Sequence, residues 1–218
     1  MDTPGLPAAT RLRRDLDAAA RKQPAPARAT PLLLFARARA VWLESGRIDL
    51  GALAAELGLG RATVFRWVGS REQLTGEVLW SITEPTLKRA GLKATGTGAA
   101  RIGAVCAAAV AAIVRFAPLR RFIAEQPDQA LRLLTSKAGV VQARVIAAMR
   151  ALLEEEAKRP RGRWKPPLDL DTLAYLVVRL CESFVYAEVI SGQRVAATDA
   201  GLAVQLLLSG KVQGGTAA

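Results

Sequence analysis

Histidine is absent from the 218 residues. That absence removes histidine-based acid–base catalysis, histidine triads and most zinc sites. Cysteine is almost as scarce. Cys106 and Cys181 both lie inside apolar runs, without metal-ligand spacing, which predicts buried thiols and no secreted disulfide framework. Aromatic residues make up only 5% of the chain, so Ala and Leu carry the apolar fraction, and both favour helix. No stretch alternates with the period of a strand. Residues 1–30 lack the apolar segment of a signal peptide. The longest apolar run, Ile102 to Val114, falls short of the roughly 20 residues a membrane span needs. The expectation is a cytoplasmic all-α protein with no membrane partner, no metal and no cofactor. It is also expected not to be an enzyme, since carboxylates cluster only at Glu154, Glu155 and Glu156 on a charged helix end.

What the chain has in excess is positive charge. The formal net charge is +12, and residues 1–71 hold 12 basic against 6 acidic side chains. About a third of the chain therefore carries half the excess. Such a balance suits nucleic acid or an anionic membrane, although a genomic preference for arginine would explain part of it.

Residues 1–29, rich in Ala, Pro and Arg, read as a flexible basic arm. Within it, Ala9 to Lys22 can form a short charged helix with Leu12 and Leu16 one turn apart. Thr30-Pro31 reads as a helix start, a capping hydroxyl followed by proline at the first helical position. Leu34, Ala38, Val41 and Trp42 follow at helical spacing until Gly46. Asp49 caps a second helix whose inward face is Leu50, Leu53, Ala54 and Leu57. Gly58-Leu59-Gly60 breaks it, and a third helix runs from about Arg61 to Val68. Ser70, with Gln73 at capping-box spacing, opens a longer helix lasting to about Gly91. A Gly/Thr linker, 91–98, sets the expected boundary between an N-terminal domain, 30–91, and a helical regulatory and dimerisation domain, 92–218.

The stretch Asp49 to Leu74, DLGALAAELGLGRATVFRWVGSREQL, has two short helices joined by a glycine-containing turn, which is the helix-turn-helix pattern. Leu53, Leu57, Val64 and Val68 would pack where the helices cross. The third helix would then present Arg61, Ala62, Thr63, Arg66 and Trp67 outward, free to enter a major groove. A generic helical hairpin is the plain alternative.

From Thr30 to Leu79 the sequence resembles the TetR family of regulators. The likeness rests on the recognition-helix phrase Arg61-Ala62-Thr63-Val64-Phe65 and on Arg71-Glu72-Gln73-Leu74 opening the next helix. The phrase WLESGRIDL…RATVFRWVGSREQL is most similar to the QsdR branch, regulators tied to lactone-signal degradation. The resemblance implies that Thr30 and Arg71 grip phosphates and that Arg61, Thr63 and Arg66 read base edges. Trp67 would pack on a sugar or a thymine methyl. Gly60 stands where a capping Ser is usual, and Phe65 stands where the family has a phosphate-contacting Tyr, which assigns Phe65 to packing. With Ala62, these residues form the expected DNA-binding set.

In the C-terminal half, helices are predicted near Pro118 to Glu125, Pro127 to Thr135, Val140 to Lys158, Asp169 to Ile190 and Asp199 to Leu208. Leu173, Val177 and Leu180 with Leu202 and Leu206 read as a homodimer interface built as a four-helix bundle. The resemblance implies the same, with a palindromic operator in double-stranded DNA. It also implies an apolar effector pocket, for which Cys106, Val110, Phe116, Phe122, Met149, Leu176 and Phe184 are candidates, each equally well explained as core. The basic run Lys158, Arg159, Arg161, Arg163 and Lys165 reads as a solvated loop. The function expected is a sequence-specific DNA-binding transcriptional regulator, a repressor released by a small apolar ligand such as a lactone signal. The alternative is an architectural helical protein binding DNA without sequence preference.

Overall fold

The computed structural model describes residues 10–19, 29–136, 139–159, 164–193 and 195–210, and every regular element among them is helical. In order these are α1 (Arg11–Ala19), α2 (Pro31–Ser45), α3 (Leu50–Glu56), α4 (Arg61–Val68), α5 (Arg71–Lys93) and α6 (Gly98–Arg115). They continue with α7 (Ala117–Glu125), α8 (Pro127–Thr135), α9 (Val140–Lys158), α10 (Leu170–Val185), α11 (Ala187–Ser191) and α12 (Ala197–Ser209).

Capping chemistry sets the early boundaries. Thr30 Oγ1 accepts the Leu33 N–H at 3.1 Å and Pro31 occupies the first turn of α2. That helix ends where Gly46, at φ 72°, turns its N–H onto the Trp42 carbonyl, a left-handed conformation that glycine adopts without a Cβ penalty. Asp49 accepts from the N–H groups of Gly51 and Ala52 at 2.7 and 3.1 Å to start α3. Ser70 accepts from Gln73 N–H at 3.1 Å ahead of α5.

Three boundaries differ from expectation. α5 continues past Gly91 to Lys93 and accommodates Pro85 inside it, so the linker shrinks to 94–97. The apolar helix expected to reach Ile190 breaks at the buried Tyr186, and the short α11 follows. α12 starts two residues early, at Ala197.

The chain forms two compact units, neither of them one continuous stretch: Met1–Thr83 with Ala117–Ala143, and Glu84–Phe116 with Arg144–Ala218. The division falls inside α5 and α9, whereas the expected boundary lay in the linker at 91–98. α7 and α8 thus belong to the same unit as the helix-turn-helix, with α7 packed on α2 and α8 on α7. In that first unit Leu34, Ala38, Trp42, Leu53, Val64, Val68, Leu74 and Phe122 are buried. Trp42 meets Phe122 edge-on, with ring centroids 5.7 Å apart, a favoured aromatic geometry. Arg121 donates to the carbonyls of Leu43 and Glu44, and Gln126 donates to that of Gly46 at 3.2 Å. These side chains satisfy carbonyls that the last turn of α2 leaves open.

In the second unit Ile102, Cys106, Met149, Leu153, Leu173, Val177, Val204 and Leu208 belong to one apolar cluster. α6 and α12 cross closely: a Cβ on Gly103 would stand 2.6 Å from the Gly201 carbonyl oxygen, and one on Gly201 would stand 2.6 Å from that of Gly103. The run Ile102 to Val114 lies within an 18-residue helix of mean hydropathy 1.6, long and apolar enough to cross a membrane by length and composition. Its packing against α12 and α10 supplies a sufficient reason for that apolarity. Arg101 on the same helix is buried against Glu156 of α9.

Candidate nucleic-acid interface

α3 and α4 meet through a turn in which Gly58 adopts φ 62° and Leu59 donates its N–H to the Ala54 carbonyl at 2.8 Å. Leu53, Val64 and Val68 are buried at the crossing and Leu57 is half-buried. Arg37 of α2 pairs with Glu56 of α3. This is helix-turn-helix packing, with one side of α4 left open.

On that open side Arg61, Ala62, Phe65 and Arg66 are exposed and Thr63 is half-exposed. Gly60 precedes the helix and gives it no side-chain cap. Arg61, Phe65 and Arg71 also line a cleft of about 460 Å³, together with Asp49, Ser70 and Glu72. The Asp49 carboxyl is held below the usual carboxylate range, first by the amides of Ala52 and Gly51, then by the charges of Arg61 and Arg71. Glu72 is likewise depressed, first by a backbone amide bond, then by the Ser70 hydroxyl and Arg71. Arg71 lies 3.6 Å from Glu72 and is half-exposed. The cleft thus pairs two guanidinium groups with two ionised carboxylates, whereas Arg66 adds its charge to the open face of α4. Thr30 is committed to capping α2 through its hydroxyl.

Two residues of the expected DNA-binding set sit differently. Trp67 is only 7% exposed, so it offers no face to a sugar or thymine. Its ring is covered by α1, with the Arg11 guanidinium carbon 5.8 Å from the ring centroid. Phe65, assigned to packing, is half-exposed instead; its position on α4 points away from the crossing that Val64 and Val68 fill. Sequence reasoning missed the part α1 plays. The spacing of Leu12 and Leu16 signalled the helix, but nothing local signalled its docking on α2 and α4. Leu12 is fully buried, and Arg13 pairs with Asp17 at 2.8 Å and with Glu77 at 3.5 Å. The other residues of the expected arm, 1–9 and 20–28, lie outside the described residues.

The second unit brings some of the expected effector residues together. Cys106 and Met149 share its apolar cluster, and Val110 is buried on α6. The Cys106 thiol is pushed up by its hydrogen bond to Cys181 and by burial. Leu176, Phe184 and Phe116 are half-buried. Phe122 does not join them: it fills the first unit beside Trp42. Of the expected interface residues, Leu173 and Val177 are wholly buried within the unit because α6 and α12 cover that side of α10. Leu180 is half-buried, whereas Leu202 and Leu206 are 59% and 76% exposed. In the basic run, Lys158 pairs with Glu154, and Arg159 with Glu155 and Glu156. Lys165 is exposed, and Arg161 and Arg163 lie outside the described residues.

A helix-turn-helix whose second helix shows an arginine-bearing face to solvent is the working part of a DNA-binding protein. Residues 97–209 match the tetracyclin repressor-like C-terminal domain family. Among solved structures, the R. erythropolis transcriptional repressor QsdR, from the TetR family, is similar: TM-score 0.73 and 25% identity over 84% of this chain and 95% of that one. Comparison with curated proteins returns no match. The chain belongs to the TetR family, and its fold is that of a DNA-binding transcriptional regulator.

Proposed function

We propose that the protein is a repressor that binds a twofold operator as a homodimer and leaves it when a small apolar effector binds the second unit. The open face of α4 carries this reading, with Arg61 and Arg66 exposed beside Thr63. Arginine can hold guanine through two hydrogen bonds in the major groove, and a hydroxyl serves either purine or pyrimidine. Arg71, the first residue of α5, supplies a phosphate contact at a helix N-terminus. Likeness to the solved repressor supports repression over activation.

Leu202 and Leu206 on α12 and Tyr175 on α10 are exposed apolar side chains in the second unit. A symmetric partner covering them would make the interface isologous. The buried apolar side chains of Cys106, Val110 and Met149 suit an apolar effector, and the sequence likeness points to a lactone or acyl lactone. Release is a population shift: the effector prefers an arrangement in which the two recognition helices no longer match successive grooves.

The test is fluorescence anisotropy of the full chain with DNA from upstream of its own gene, against a scrambled duplex, at two salt concentrations. A preference of several orders of magnitude, with affinity falling steeply as salt rises, is expected. Equal binding to both duplexes favours an architectural protein. An effector that binds tightly yet leaves operator affinity unchanged overturns the release mechanism.

A further inference from the structure

α1 is docked on the recognition helix itself. Thr10 Oγ1 accepts the Arg13 N–H at 3.2 Å, which caps the helix, and a Cβ on Gly69 would come 3.3 Å from the Thr10 methyl. The start of α1 therefore stands at the end of α4. Leu12 is fully buried and Arg13 reaches Glu77 of α5, so the helix is held by apolar burial and by an ion pair. Arg11 and Arg14, one helical turn apart, are both exposed.

The position of Arg11 is informative. Its guanidinium lies over Trp67, and Trp67 stands four residues after Thr63, one turn further along the same strip of α4. Thr63 borders the open face. Arg11 thus flanks the surface that the DNA-binding reading assigns to the groove. A guanidinium held over an indole face by cation–π attraction leaves its N–H groups available for a second partner. The indole N–H of Trp67 is buried without a hydrogen-bond partner among the described residues, so the ring serves as an apolar platform and not as a donor to the duplex.

We propose that α1 is a further DNA-contacting element, in which Arg11 and Arg14 each neutralise a backbone phosphate beside the groove entered by α4. The proposal rests on the DNA-binding reading and extends it to a helix outside the helix-turn-helix. Its partner is the phosphate backbone of double-stranded DNA. The two arginines add affinity without sequence preference, because phosphates carry no base information.

The experiment measures the salt dependence of the dissociation constant for the wild-type chain, the double variant R11Q/R14Q, and the charge-conserving R11K/R14K. The duplexes are the upstream fragment and its scrambled counterpart. Each neutralised phosphate contributes about 0.9 to the slope of log K against log salt. R11Q/R14Q is expected to lower that slope by about two and to weaken both duplexes by a similar factor, about tenfold or more at low salt. R11K/R14K is expected to keep the wild-type slope. A double glutamine variant with the wild-type slope overturns the proposal, as does an equal loss in the glutamine and lysine variants, which would mark a purely structural role. Failure of the wild-type chain to bind either duplex would overturn the DNA-binding reading, and the proposal with it; the wild-type curves alone show which has failed.

Discussion

Arg101 and Glu156 form an ion pair inside the second unit, with Nη1 2.6 Å from Oε1 and the carboxylate side chain wholly buried. The same carboxylate accepts the Gly98 N–H at 2.9 Å and lies 3.0 Å from Arg159, while Arg101 also donates to the Gly91 carbonyl at 3.1 Å. Glu156 therefore ties the start of α6 to the end of α9, and Arg101 extends the tie to α5. Removing Glu156 leaves Arg101 only the longer contact to the exposed Glu155 at 3.8 Å. Breaking a buried pair costs roughly 3–5 kcal/mol, whereas replacing both partners by apolar groups is often neutral. Glu156→Ala is expected to lower unfolding free energy by that amount in urea titration. R101M/E156L is expected to recover most of it. A Glu156→Ala midpoint equal to wild type would mean the pair contributes nothing.

Arg66 and Arg71 are expected to behave differently on the operator. Arg66→Ala should cost about 1–3 kcal/mol on the native site and relax its preference over scrambled DNA. Arg71→Ala should weaken both duplexes about equally and reduce the salt slope by about one. Competition binding separates the two outcomes, and identical behaviour would remove Arg66 from base reading.

Gly103→Ala tests the crossing of α6 and α12. Alanine in place of glycine favours an isolated helix by about 1 kcal/mol. Here the new methyl meets backbone, the Gly201 carbonyl oxygen at 2.6 Å, so neither neighbour yields by a rotamer change. Overpacking typically costs about 1–3 kcal/mol. The variant is expected to be less stable than wild type despite its better helix propensity, read as a lower thermal midpoint. A raised midpoint would show that the two backbones separate readily.

L202E/L206E addresses the proposed dimer. Two charges on the most exposed apolar strip of α12 should shift the protein to monomer in sedimentation equilibrium. The fold of each unit should survive, because both side chains already face solvent. Unchanged dimer mass would place the interface elsewhere.

The sequence made the helices and their starts legible because caps are local: Thr30, Asp49 and Ser70 each act within three residues. It was less informative where contacts join distant segments. Nothing near Trp67 indicated that Arg11 would cover it, and helical spacing alone placed it on the outward face. Phe122 looked like a pocket residue because it lay in the C-terminal half, yet its partner is Trp42. Leu173 and Val177 read as interface residues from their apolar spacing, yet the protein's own α6 and α12 bury them, leaving Leu202 and Leu206 as the open apolar strip. Composition could not divide an apolar helix between these two kinds of cover.

Gln126 meets the carbonyl of Gly46 across 80 positions of sequence, and Phe122 meets Trp42 in the same unit. This looped order bears on biosynthesis. Ribosomes release roughly 5–20 residues per second, so the recognition helix emerges several seconds before α7 and α8 that help enclose its unit. Over that interval Trp42 lacks its edge-on aromatic neighbour and the nascent chain shows apolar surface that the finished protein hides. Slower synthesis through residues 84–143 therefore lengthens the time for which that surface stays uncovered.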